Sequence, residues 1–463
     1  MNPIRPAVPR PETPKQARWM LTGAMRRAVW FSATAMLLGV AQARPDLLLL
    51  GVPIAVATAI SLWRRPSALP VVGFDVETST AAEGGHVNGR VALENVGDVD
   101  YDLVIARAAP DRWLPLDRLA HPFVGRLPAG TAIDVEFDAI AARWGRRRAG
   151  PIYAHAVAAD GLMLTQMVTA YGHDIRVYPN SDAFAAHAVI ASAAGMVGFH
   201  RSRRPGDGGE LASVRAFGPG DRLRRIDWRV SLRTRELHVS STLSDRDAEI
   251  VLILDVTHEA GRSGGFDGFH SALDITVRAA AGIADYYLHR GDRVSMIEHG
   301  HAGRRLRSAT GHRHFLTALE WLLDVRPVLS GRDLFPVDAA GTAIRPNALL
   351  ICLTPILDED AVKMLARFAR SGRTVVTVDT MPAQLLTSLS SLHAGRFSEN
   401  GPYAAADSPS GPVAARLWRF DRANTIAELR EHGVPVVPWA GAGSLDHVLQ
   451  QVARVNQAPR LIR

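Results

Sequence analysis

Two apolar runs near the amino terminus, residues 28–43 and 47–63, constrain this chain more than any other feature. Only Arg44-Pro45-Asp46 separates them. Each approaches the length of a membrane-crossing helix, and in lipid a chain must satisfy its backbone within the segment. The runs therefore predict a helical hairpin over residues 28–65, with Pro45 at the turn. Arg18, Arg26 and Arg27 precede the pair, and Arg64 and Arg65 follow it. The positive-inside rule then predicts a multi-pass protein of the inner (cytoplasmic) membrane, with the bulk of the chain cytoplasmic. Two other readings stay open. A basic leader followed by Ala41-Gln42-Ala43 has the layout of a cleaved signal peptide, although the second apolar run weighs against it. A buried hairpin of a soluble protein has the same composition. Residues 1–27, rich in proline and arginine, read as a disordered basic tail.

The remaining length of the 463-residue chain is enough for roughly two or three further domains. Its net charge of +7 rests on arginine, because the only lysines are Lys15 and Lys363. Neither follows a glycine-rich turn, which excludes a P-loop nucleotide hydrolase. The single cysteine, Cys352, excludes an intramolecular disulfide and a multi-cysteine zinc site. It lies in an apolar run where a small thiol packs well.

From residue 66 to 180 short alternating runs, at 71–76, 87–93, 103–106, 133–137 and 152–157, predict a β-sandwich-like domain. Turn-forming clusters such as Glu83-Gly84-Gly85 separate them. The basic cluster Arg143-Trp144-Gly145-Arg146-Arg147-Arg148 could contact nucleic acid or lipid headgroups, but no second aromatic accompanies it in sequence. A solvated turn is the preferred reading.

Residues 201–246 hold eleven arginines against six acids, and within them residues 215–233 form a dense motif. Gly218-Pro219-Gly220-Asp221 reads as a tight turn. The next segment is ambiguous. As a strand, Ile226, Trp228, Val230 and Leu232 share a face. As a short helix capped near Asp227, Asp227 and Ser231 share one instead. In either form Trp228 is expected to bury its ring, and Asp221 and Asp227 to find partners among Arg215, Arg224 and Arg233.

The spacing of Arg215, Phe217, Gly220, Asp221, Arg224, Ile226, Asp227, Trp228, Ser231 and Arg233 resembles the hallmark of the bacterial family called domain of unknown function 58. Arg143 to Gly150, Asp160-Gly161-Leu162 and Val177-Tyr178-Pro179 also sit where such proteins carry similar elements, so the resemblance spans about 140–380. Phe217 and Val230-Ser231-Leu232 depart from the tyrosine and small residues frequent in that family. The resemblance implies a membrane-anchored protein with a von Willebrand factor A-like domain, encoded beside a MoxR-type AAA+ ATPase.

Residues 249–463 alternate strand and helix, which predicts a doubly wound α/β domain with a Ser-, Ala-, Pro- and Gly-rich insertion near 381–412. The resemblance to A-type domains implies a divalent ion at the carboxyl ends of the strands. Asp255, Thr257 and Thr310 are the candidate ligands, and their hard oxygens suit magnesium. Glu259 stands where the last hydroxyl of that loop is expected, and Thr354-Pro355 where a later aspartate is expected. A degenerate, metal-free site is the preferred reading, with no cofactor. His312-Arg313-His314 reads as exposed.

These readings converge on a non-enzymatic, membrane-anchored adaptor whose A-type domain docks protein partners. The resemblance implies a MoxR-type AAA+ ATPase as partner and a chaperone-like role in complex assembly. Arg215, Gly220, Asp221, Arg224, Asp227, Trp228, Ser231 and Arg233 are its signature and docking residues. Two alternatives are an enzyme with its site at Asp221, Asp227 and the arginines, and nucleic-acid binding through residues 201–246.

Overall fold

A computed structural model of the full chain describes residues 18–180, 202–218, 226–244, 249–300, 304–327, 344–345, 348–385 and 411–439. Side chains are described for these except at 202–213, 215, 240–244, 411 and 412. The tail before Arg18, the core of the insertion and residues 444–455 lie outside the described residues. The chain forms two compact units, Met1–Tyr178 and Pro179–Arg463.

In the first unit, β1 (Trp19–Leu21) leads into α1 (Gly23–Ala41) and then α2 (Pro45–Trp63). Thr22 caps α1 by accepting from the Met25 amide at 3.3 Å, and Pro45 opens α2, where its missing N–H costs nothing. Arg44 and Asp46 pair across the turn at 3.2 Å. The helices approach closely because glycines face the partner. A Cβ on Gly39 would lie 2.9 Å from Leu48, and one on Gly51 would lie 3.1 Å from Ala35. Their outer faces expose Trp30, Phe31, Leu37, Val40, Leu49, Val56 and Trp63.

Two expectations need correction here. Residues 18–27 are not a disordered tail: Trp19–Leu21 pairs with β10, and Trp19 Nε1 donates to the Ala68 carbonyl at 3.0 Å. Of the triplet Trp19-Met20-Leu21 only Trp19 is half-buried, packing against the core, while Met20 and Leu21 stay exposed. Of the two helices, only α2 is by itself long and apolar enough to cross a membrane. Arg26 and Arg27 occupy the first turns of α1 and leave about 21 Å of uncharged helix against a core of about 30 Å.

The rest of this unit is β2 (Val71–Val76), β3 (Thr80–Ala82), β4 (His86–Glu94), β5 (Tyr101–Ala108), α3 (Asp117–Ala120), β6 (Phe123–Leu127), β7 (Ala132–Ile140), β8 (Gly145–Ala149), β9 (Ile152–Ala158), β10 (Met163–Thr165), β11 (Val168–Ala170) and β12 (His173–Tyr178). They form three sheets: β1-β10-β9-β5-β6 with β11 on β9, β2-β4-β7, and β3-β12-β8. Alternation sets the core. Val87, Val91 and Leu93 of β4 and Val135 and Phe137 of β7 face inward, while Asn88, Asp134, Glu136 and Asp138 face solvent.

The second unit contains β13 (Ser202–Ala216), α4 (Trp228–Thr234), β14 (His238–Ser244), β15 (Glu249–Asp255), α5 (Ala272–His289), β16 (Arg293–His299), β17 (Arg305–Ala309), α6 (His312–Leu322), β18 (Leu349–Thr354), α7 (Glu359–Arg370), β19 (Thr374–Asp379), α8 (Gly411–Glu431) and β20 (Val436–Pro438). β13 and β14 make an antiparallel ribbon. The main sheet has the order β17-β16-β15-β18-β19-β20, parallel except for β17. β15 and β18 are buried throughout, and β15 is apolar between its terminal Glu249 and Asp255, as strands covered on both faces must be. Val251, Ile253, Leu350 and Cys352 pack against α7 and α8, and α5 packs across β15, β16 and β18. A capping box of Ser271 and Asp274 starts α5. The strand order reverses between β15 and β18, so the crevice at their carboxyl ends is where such sheets place ligands.

Candidate functional site

The carboxyl rim of the main sheet collects Asp255, His299, Thr354 and Asp379, one from the end of each of β15, β16, β18 and β19. Asp255 is buried, with both oxygens engaged. Oδ1 accepts from the Thr257 amide at 3.0 Å and the Thr257 hydroxyl at 2.5 Å. Oδ2 accepts from the Thr354 hydroxyl at 2.6 Å. Thr354 Oγ1 in turn accepts from the Ile356 amide at 2.9 Å. Thr257 and Thr354 thus spend their hydroxyls on the carboxylate. Magnesium is commonly held by one or two carboxylates with several waters, and this cluster offers one carboxylate with two hydroxyls hydrogen-bonded to it. Among the described residues no three or more His, Cys, Asp or Glu converge on a point that could hold a metal.

Thr310 cannot join this cluster. It follows β17, whose Ala309 pairs with Val294 at the start of β16, whereas Asp255 pairs with His299 at the end of β16. An antiparallel edge strand therefore carries Thr310 to the opposite rim, about 16 Å of strand away. Glu259 is exposed. His314 also departs from expectation: it is buried, and its Nε2 lies 2.8 Å from the Val294 carbonyl, anchoring α6 to β16.

The flanking rim residues are braced rather than open. Asp379 Oδ1 accepts from Arg422 Nη2 at 2.6 Å and from the Met381 amide at 3.0 Å. Burial raises the Asp379 pKa, and the Arg422 guanidinium partly counters this. Arg422 also donates to the Pro355 and Ile356 carbonyls, so one side chain ties α8 to two strand ends. His299 Nε2 lies 3.5 Å from Asp358, the N-cap of α7, and this contact holds the Asp358 carboxyl below its usual range. One residue back along β16, buried Glu298 pairs with Arg304, whose guanidinium lies 4.3 Å from the centre of the Trp321 ring. Burial pushes the Glu298 pKa up to about 7 despite that cation. The Cys352 thiol is pushed well up by burial and then by the nearby Asp255 charge, so it is no nucleophile. Sequence reasoning singles out none of Arg422, His299, Asp358 or Glu298. An apolar run ending in charged residues is the available signal for Glu298-His299.

The signature segment adopts the helical alternative. Asp227 caps α4, its Oδ1 accepting from the Arg229 and Val230 amides at 3.1 Å each. Ser231 donates to the Asp227 carbonyl at 2.7 Å and accepts from the His238 amide at 2.9 Å, stapling α4 to β14. Arg235 ends the helix in the left-handed conformation, with φ of 62°. Trp228 is not buried: it is 62% exposed, and Leu232, one turn on, is 79% exposed. A helix that begins at Trp228 points this residue and its i+4 partner outward together, where strand alternation would have turned them into a core. Arg229 and Arg233 flank them, both exposed. Asp227 spends its carboxylate on helix amides and has no ion pair with Arg233 among the described residues. Gly220, Asp221 and Arg224 lie outside the described residues, as does the side chain of Arg215.

The basic cluster of the first unit does gain a second aromatic. Arg112, Arg143 and Arg147 lie 4.6, 5.2 and 5.8 Å from the Trp113 ring, and Arg143 is also 5.4 Å from Trp144. Trp113 arrives from another loop, which no local sequence window reveals. A groove of about 630 Å³ elsewhere on this unit is lined by Asp75, Glu77, Glu136 and Asp138 together with Arg90 and Arg118.

Comparison with known proteins places these features. The uncharacterized proteins Rv1480 of Mycobacterium tuberculosis and Mb1516 of Mycobacterium bovis are each 35% identical to the chain over 127 residues, covering 26% of this chain and 38% of theirs. The chain thus spans well under half the length of the curated relatives it matches. Among solved structures, an inactive mutant of the GH20 exo-β-N-acetylglucosaminidase of Vibrio harveyi aligns at 10% identity over 80% of this chain and 76% of that one. Its TM-score of 0.18 carries no argument. Residues 213–386, which hold α4, the rim cluster and most of the main sheet, match the family model described as protein of unknown function DUF58. The likeness to the DUF58 family is thus carried by this segment, from the end of β13 to just past β19.

Proposed function

We propose that this protein is a membrane-anchored adaptor, without catalysis of its own, whose second unit is an A-type domain that docks a protein partner through α4. The observation that carries the reading is the display of Trp228 and Leu232 on a helix whose frame is fixed by Asp227 and Ser231. Tryptophan and arginine dominate binding hot spots, and a rigid frame lowers the entropy lost on docking. The signature therefore divides its labour, with Asp227 and Ser231 bracing the helix and Trp228, Leu232, Arg229 and Arg233 offered to a partner. The partner is a MoxR-type AAA+ ATPase, as the family resemblance implies, and the role is chaperone-like assembly or maturation of a complex. The closed hydrogen bonding of Asp255 supports work without a bound metal.

The hairpin of α1 and α2 is the anchor, with both ends on the cytoplasmic face of the inner membrane. Its support is the apolarity of α2 and of the outward face of α1. Cross-linking the detergent-solubilised full chain with the AAA+ protein, with and without ATP, tests the reading. Recovery of a cross-linked peptide containing α4 is expected. Cross-links confined to other surfaces, or none, would refute it.

A further inference from the structure

We propose that the end of the first unit bearing residues 95–100 and 159–162 is a lipid-contacting surface, held against phospholipid headgroups by a hairpin clamped at both ends; this rests on the membrane anchoring proposed above. This hairpin is tied to the sheet at both of its junctions. On the entry side β1 pairs with β10 residue for residue, and the Gln166 amide donates to the Arg18 carbonyl at 3.0 Å. The Thr22 amide donates to the Leu162 carbonyl, and the Thr22 hydroxyl to that of Gly161, each at 3.0 Å. On the exit side Ser61, in the last turn of α2, donates to Asp160 Oδ2 at 2.5 Å. Beyond Trp63, the Ala68 carbonyl accepts from both Trp19 Nε1 and the Tyr101 hydroxyl. One loop, residues 159–162, thus grips the start of α1 and the end of α2 together. Asp102 of β5 fixes that loop to the sheet by accepting from the Gly161 amide at 3.0 Å.

The geometry then sets the level of the bilayer. The 19 residues of α2 span about 28 Å, close to the hydrocarbon thickness of about 30 Å, so its last turn lies at an interface. Trp63, 89% exposed, sits at that level with Arg64 and Arg65, and Arg26 and Arg27 stand at the start of α1. Interfacial tryptophan and phosphate-binding guanidinium groups suit the headgroup layer. Because residues 159–162 touch this turn directly, no spacer separates sheet from headgroups. Residues 95–100 share the same end: a Cβ on Gly97 would lie 3.3 Å from that of Ala68. Val96 at their tip is 55% exposed. The other end of β5, leading to Arg112, is about 23 Å farther along the strand.

The test uses the full chain in nanodiscs of phosphatidylethanolamine and phosphatidylglycerol, in a Cys352→Ser background. A fluorophore is attached at Val96→Cys, Arg112→Cys or Trp63→Cys, and quenching by headgroup-nitroxide lipid is measured. The expected result is strong quenching at 63, and quenching at 96 several-fold above that at 112. Adding Thr22→Ala and Ser61→Ala should lower the signal at 96 and leave that at 63. Quenching at 63 with equal values at 96 and 112 overturns the lipid-contacting surface while the anchor stands. No quenching at 63 overturns the anchor and this surface with it.

Discussion

The two units differ in where most of their strand-borne acids lie, although the first unit also buries an acid, Glu83, which accepts from the Trp144 amide. In the first, Asp75, Asp134, Glu136 and Asp138 lie on the outer faces of strands, and their pairs, such as His86 with Asp138 at 2.9 Å, are solvated. In the second, Asp255, Glu298 and Asp379 sit buried at strand ends, and each has its own kind of partner. Asp255 takes two hydroxyls and an amide, Glu298 an arginine, and Asp379 an arginine and an amide. A buried charge without a partner costs several kcal/mol, and a solvated one costs nothing. At this rim the buried acids brace the main sheet.

That contrast can be broken most severely at Arg422. Arg422→Ala leaves Asp379 buried without its cation and frees the Pro355 and Ile356 carbonyls. It should destabilise the second unit by about 3–5 kcal/mol, read as a lower unfolding midpoint in denaturant. Asp255→Ala removes the acceptor of three buried donors and should cost about 1–3 kcal/mol in the same measurement.

Glu298 sharpens the comparison through pH. Its folded-state pKa of about 7 exceeds the ordinary 4.5, so the folded chain holds the proton more tightly than the unfolded one. Stability from this group is present below about 4.5 and is lost as pH rises through about 7. Glu298→Gln should flatten that part of the stability–pH profile. At the solvated extreme, Asp138→Asn should change stability by no more than about 0.5 kcal/mol.

Much of the framework is written in local periodicity. Runs predicted at 71–76, 87–93 and 133–137 correspond to β2, β4 and β7, because one-face burial imposes a period of two. The site is harder to read, for topological reasons. Thr310 reads as a rim residue only while Arg305–Ala309, with arginine at alternate positions, goes unrecognised as a strand. That one edge strand moves it across the sheet. Trp228 reads as a core residue because aromatics usually bury, yet the Asp227 cap starts a helix that turns it outward. Arg422 comes from a helix that follows the insertion, and no short window links it to Asp379.

The most direct test is the affinity of the full chain, in detergent, for the partner proposed above, a MoxR-type AAA+ ATPase, compared between the native chain and Trp228→Ala/Leu232→Ala. Removing two exposed anchors should weaken binding at least about tenfold, or 1.4 kcal/mol. The thermal midpoint should not move, since neither side chain is buried. Binding at native affinity by the double variant would contradict the assignment of α4 as the docking face.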